Sequence, residues 1–115
     1  MMQAKRCEMN ETGNIPHSEA QAALDRLLTV ALSDTGQSRI TANFLLAWWN
    51  ASDWGGFDIA DLFSVDRAIA ADMTTLFAFL GQQGVATYAD AFGRRAEIVK
   101  LIRLWRRADV ETAEA

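Results

Sequence analysis

The sequence predicts an all-α protein, a compact bundle of four main helices with one or two short extra helical turns. Three observations carry that expectation. Apolar residues recur at helical spacing in four separate stretches, no stretch alternates in the manner of a half-buried strand, and the one proline, Pro16, precedes the first periodic stretch.

The first helix is expected from Ser18, with Ser18 and Gln21 spaced as a capping box. Leu24, Leu27, Leu28, Ala31 and Leu32 then fall on one face, and Gly36 offers a left-handed stop. A second helix is expected from about Ser38, its stripe made by Ile40, Phe44, Ala47 and Trp48. Leu45 and Trp49 widen this stripe beyond half the circumference, which marks a central helix or one that touches a partner. Ala51 to Gly56 breaks the pattern, with Gly55-Gly56 reading as a turn. Asp58 suits the cap of a short helical turn through Ile59 and Leu62. Ser64 or Asp66 opens the third long helix, with Val65, Ile69, Met73, Leu76, Phe77 and Leu80 as its buried stripe. A further turn is expected over Tyr88–Phe92 with Thr87 as cap. Gly93 separates it from a last helix carrying Ile98, Leu101, Ile102 and Trp105.

With 115 residues the chain reads as one domain over 18–107, preceded by a flexible arm over 1–17 and followed by an acidic tail over 108–115. Half of the residues are hydrophobic, at the upper end for a water-exposed chain of this length. That excess points to a homodimer or a separate protein partner. The single cysteine, Cys7, makes no internal disulfide, and no cysteine cluster exists to hold zinc. Nothing near Lys5 and Arg6 reads as a secretory signal, and no apolar run is long enough for a membrane span. A cytoplasmic location without membrane association is therefore expected.

The net charge of −4 is unevenly spread. Residues 53–72 hold five aspartates against Arg67, and residues 94–107 hold six basic residues against Glu97. Such polarity suggests pairing within the fold or with a partner.

The catalytic inventory is thin, and no catalytic residue, metal ligand or cofactor is expected. The only histidine, His17, stands just before the first helix; it could act as a base only for a distant serine and reads instead as an exposed residue beside a helix cap. Asp58, Asp61 and Asp66 read as helix-terminal carboxylates in preference to a site for a hard cation such as magnesium, because acids suit helix N-termini and the local pattern lacks the Gly and Glu of a calcium loop. Gly55-Gly56 lacks the remainder of a phosphate loop.

Two surfaces stand out instead. Trp49, Trp54 and Phe57 belong to an aromatic cluster in which Trp54 is either a lid over the bundle or an interface anchor. Lys100, Arg103, Arg106 and Arg107 form a basic face on the last helix. It is read first as a solvated face balancing the aspartates, and otherwise as a contact for an acidic protein or for nucleic acid.

The central stretch resembles a family of small uncharacterised proteins encoded on proteobacterial integrative and conjugative elements. The likeness is carried by Ala22-Ala23-Leu24-Asp25-Arg26-Leu27, Phe44-Leu45-Leu46-Ala47-Trp48-Trp49-Asn50-Ala51, Gly55-Gly56-Phe57-Asp58 and Val65-Asp66-Arg67-Ala68-Ile69-Ala70. The resemblance implies a bacterial mobile element as the setting and assigns no activity. The expected function is that of a non-enzymatic helical interaction protein or regulatory accessory factor. The alternative is an accessory nucleic-acid-binding protein that uses the basic face.

Overall fold

A computed structural model describes residues 14–106. Cys7, Arg107, the tail expected over 108–115 and residues 1–13 of the expected arm lie outside the described residues. Those described form four α-helices and two 3-10 helices, with no strand among them. In order these are α1 (His17–Ala31), α2 (Gly36–Trp54), a 3-10 helix (Ile59–Ser64), α3 (Arg67–Gly81), a second 3-10 helix (Ala89–Phe92) and α4 (Arg95–Trp105). The all-α expectation is met.

Helix α1 is the centre of the assembly. It packs most extensively on α3 and next on α2, while α2 also packs on α4. Its buried face alternates large and small side chains: Ala20, Ala23 and Ala31 let neighbouring backbones come close, and Leu24, Leu27 and Leu28 fill the space between. Leu45 and Leu46 of α2, Met73 and Leu76 of α3, and Ile98 and Leu101 of α4 complete the interior. No buried side-chain nitrogen or oxygen among the described residues lacks a hydrogen-bond partner.

Several helix ends differ from the sequence reading. Pro16, not Ser18, is the N-cap of α1. Its extended backbone (φ −65°, ψ 150°) leads into the helix, and its carbonyl accepts from the N–H groups of Glu19 and Ala20 at 3.0 and 3.1 Å. Ser18 therefore stands inside the first turn, where its hydroxyl cannot serve as the cap. Gly36 does not end α1. The cap there is Leu32 in a right-handed conformation, and Gly36 begins α2. The cap of α2 is Thr35, whose Oγ1 accepts from the Ser38 N–H at 3.0 Å. Ser38 Oγ accepts from the Thr35 N–H at 3.1 Å, so the two form a reciprocal capping box.

Helix α2 continues past the expected break at Ala51, but with a kink. Asn50 leaves helical geometry (φ −169°, ψ 87°), and its Oδ1 accepts from the Asp53 N–H at 3.1 Å. It thereby caps the final turn internally. Gly55, at φ +99°, then takes a backbone conformation that side-chain-bearing residues rarely adopt.

Two ion pairs tie α1 to its neighbours. Arg26 donates twice to Asp72 on α3, at 3.0 and 2.9 Å, and Arg94 donates twice to Asp25, at 2.7 and 3.1 Å. One member of each charged stretch, Asp72 and Arg94, thus pairs with α1, and among the described residues no ion pair joins the two stretches. Trp105 closes the far end of the bundle, its Nε1 donating to the Ala31 carbonyl at 2.8 Å. No helix among the described residues is long and apolar enough to cross a membrane.

Candidate functional site

Helices α2 and α3 both pack on α1 but leave a cleft between themselves. The segment after the Gly55-Gly56 turn contributes Phe57, Ile59 and Leu62 to the opening without filling it. The cleft has a volume of about 570 Å³ and is lined by Phe44, Ala47 and Trp48 of α2, by Phe57 and Ile59, and by Phe77 and Leu80 of α3. A smaller hollow of about 200 Å³ shares Phe44, Phe57, Ile59 and Phe77 and reaches down to Met73. Phe57 braces the wall by an edge-on contact with Phe44, ring centroids 5.3 Å apart.

Large apolar side chains of the lining and of the adjoining 3-10 helix stand in solvent. Phe77 is 71% exposed and Ile59 70%, while Phe63, on the same 3-10 helix as Ile59, is 90% exposed. Asp58 and Asp61 flank these residues. Asp58 caps the 3-10 helix, its Oδ1 accepting from the Ala60 N–H at 3.0 Å, as its position suggested.

The exposure of Phe77 corrects its assignment to the buried stripe of α3. Phe79 takes that place, packing edgewise and at a tilt among His17 and Phe92. Leu76 is fully buried, and its neighbour Phe77 points about 100° away around the helix. Phe63 is likewise the neighbour of the half-buried Leu62. Adjacency to another apolar residue does not by itself mark such exposure, since Leu27 and Leu28, like Leu45 and Leu46, are adjacent and both buried.

The three aromatics singled out in the sequence occupy different places. Phe57 lines the cleft. Trp49 lies on another side of α2, edge-on to Tyr88 at 6.1 Å, with the Arg95 guanidinium over its ring at 5.6 Å. It borders a shallow hollow with Asn50, Tyr88 and Asp90. Trp54 is half-buried against the core, and its carbonyl is held by Arg106.

The basic residues also separate. Lys100 and Arg103 are exposed. Arg106 turns inward, its Nε donating to the Trp54 carbonyl at 2.9 Å and its Nη2 to Asn43 Oδ1 at 2.7 Å. His17 stacks on Phe92, ring centroids 4.8 Å apart. No group of three His, Cys, Asp or Glu side chains among the described residues is arranged to hold a metal ion. Asp25 and Arg94 are the notable electrostatic pair: hydrogen bonding from Arg94 holds the Asp25 carboxyl below the usual aspartate range, against a smaller opposing effect of burial.

Residues 21–106 match the model of a family of unknown function, DUF7673. Neither a curated protein nor a solved structure matches the chain.

Proposed function

The chain belongs to the DUF7673 family of unknown function, and on that premise we propose that it is a non-enzymatic helical protein that works by docking a protein partner in the cleft between α2 and α3. The supporting observation is the combination of an open apolar cleft with Phe77 and Ile59 of its lining standing in water, and with the exposed Phe63 on the same 3-10 helix as Ile59. Surface patches of this kind, next to a concave apolar wall, favour protein contact over solvent. The cytoplasm is the proposed location and a bacterial mobile element the proposed setting, the latter resting on the sequence resemblance alone.

The test is affinity capture from the native host with the parent and with Phe77→Glu. The reading expects a captured protein that Phe77→Glu loses while its thermal melt stays like the parent's. Equal capture by both would overturn it.

The nucleic-acid alternative draws on Lys100 and Arg103, the two exposed cations of the basic face among the described residues besides Arg95 over Trp49. With Arg106 engaged by Trp54 and Asn43, this set is small for a phosphate-tracking surface, whose affinity grows with each neutralised phosphate.

A further inference from the structure

The cleft constrains what enters it. Its walls are helices, a 3-10 segment and the short loop at Gly56 and Phe57, so they present mainly side chains and no sheet edge. An extended peptide would leave its own N–H and C=O groups without partners there, whereas a helix satisfies them internally. The volume sets the number of anchors. A hollow of ~150 Å³ holds a benzene-sized group, so about 570 Å³ accommodates roughly three to four large apolar side chains.

Charge sets the flank. Asp58 and Asp61 alternate with the lining residues Phe57, Ile59 and Leu62. The Asp61 N–H donates to the Asp58 carbonyl at 2.9 Å, while its carboxylate has no hydrogen-bond or ion-pair partner among the described residues. Asp66 follows at the N-terminus of α3, and Arg67 is the one cation in the stretch 53–72. The α3 side of the opening is uncharged, with Thr74, Phe77, Ala78 and Gly81 exposed. A negative rim on one side of an apolar trough is complementary to a helix with apolar residues on one face and lysine or arginine beside them.

Resting on the docking role just given, we propose that the occupant is a cationic amphipathic helix of another protein, seated with its apolar face in the α2–α3 cleft and its basic flank against Asp58 and Asp61. A second copy of this chain fits less well. The exposed face of α4 is basic, but Leu104 is its single large apolar side chain, too few to fill the trough. A two-fold contact through the cleft itself would set the acidic rim against its own copy.

The experiment uses three designed eighteen-residue helices with the same leucine face and with lysine, glutamine or glutamate elsewhere, titrated into the full chain by fluorescence anisotropy. The lysine peptide is expected to bind at least about tenfold more tightly than the glutamate peptide, with the difference shrinking as salt rises. The double variant Asp58→Asn/Asp61→Asn keeps a capping side chain at position 58 and is expected to abolish that preference. Asp34→Asn/Asp90→Asn, which removes equal charge elsewhere, is expected to preserve it. Phe77→Glu, or Ile59→Ser should the first variant unfold, is expected to end binding.

Equal binding of all three peptides, still lost in Phe77→Glu, would overturn the cationic preference and leave the docking role standing. No binding by any peptide, together with unchanged host capture by Phe77→Glu, would overturn both. A tight dimer in sedimentation that Phe77→Glu dissociates would overturn the proposal by naming the second copy as occupant.

Discussion

Arg106 clasps the end of α2 from the end of α4: one guanidinium donates to the Trp54 carbonyl at 2.9 Å and to the Asn43 side chain at 2.7 Å. It holds a carbonyl at the exit of the kinked helix and joins positions 43 and 54, which α2 alone leaves on separate turns. Arg106→Ala is expected to cost about 1–2 kcal/mol, toward the lower part of the range for charged hydrogen bonds because the side chain is partly exposed. Arg106→Lys should restore only part of it, since a single ammonium does not span both acceptors as the planar fork does. Urea denaturation checks this. A variant as stable as the parent but weaker on nucleic acid would assign Arg106 to a phosphate contact instead.

The capping box at the start of α2 gives a second expectation. Thr35→Ala removes the acceptor for the Ser38 N–H and should lower stability by about 1 kcal/mol. Ser38→Ala removes the reciprocal bond, and the double variant should cost less than the two single losses combined, because each half holds the other. Additive losses in a double-mutant cycle would show that the two bonds act separately.

Burial separates residues that hydrophobicity alone treats alike. Leu24→Ala empties a fully buried place on α1 and should cost about 2–5 kcal/mol, whereas Phe63→Ser, at a side chain 90% exposed, should leave the melt within about 0.5 kcal/mol of the parent. Thermal unfolding of the pair is the measurement. A large loss at Phe63 would mean that its surroundings are packed in solution.

Gly93 sits in a left-handed conformation, φ +72°, between the second 3-10 helix and α4, and a Cβ there would meet no neighbouring atom. Gly93→Ala should therefore carry only the backbone cost of about 1–2 kcal/mol, and Gly93→Asn rather less. Chemical denaturation of the two variants distinguishes backbone cost from packing.

Acid should weaken the link from α1 to α4. Asp25 is held below the usual aspartate range by Arg94, so the pair stabilises the fold fully above the unfolded carboxyl's value of about 3.9 and loses that contribution as pH falls through the lower folded value. The contribution is small, since the Asp25 side chain is 46% and that of Arg94 27% exposed. The stability difference between parent and Asp25→Asn should stay level from about pH 5 to 8, begin to shrink near pH 4 and vanish only below the lowered folded value. A difference that persisted undiminished at pH 2 would rule out the charged pair as its source.

Much of the helical architecture was readable from periodicity, because each helix keeps its apolar residues at a spacing that only one secondary structure satisfies. The helix ends were less legible. Thr35 and Ser38 are equally good caps by type, and Ser38 stands in the capping box as the partner three residues on. The cleft was legible only in part. Phe57 was marked by its aromatic neighbours, but Phe77 reads as core from its spacing alone. What exposes it is the gap between α2 and α3, a relation between elements far apart in the chain. Likewise nothing in the run of basic residues near the end of α4 distinguishes Arg106, which turns inward, from Arg103, which does not.

The central position of α1 bears on the order in which the molecule assembles during synthesis. Of the described helices this one is synthesised first, yet its main companion, α3, begins fifty residues after it does, at Arg67 against His17. The Ala31 carbonyl waits longer still for the indole of Trp105. Until then its leucine face stays bare or is covered only by α2, so the nascent chain passes through a long interval of exposed oily surface. Protection by a ribosome-associated chaperone would matter most during that interval.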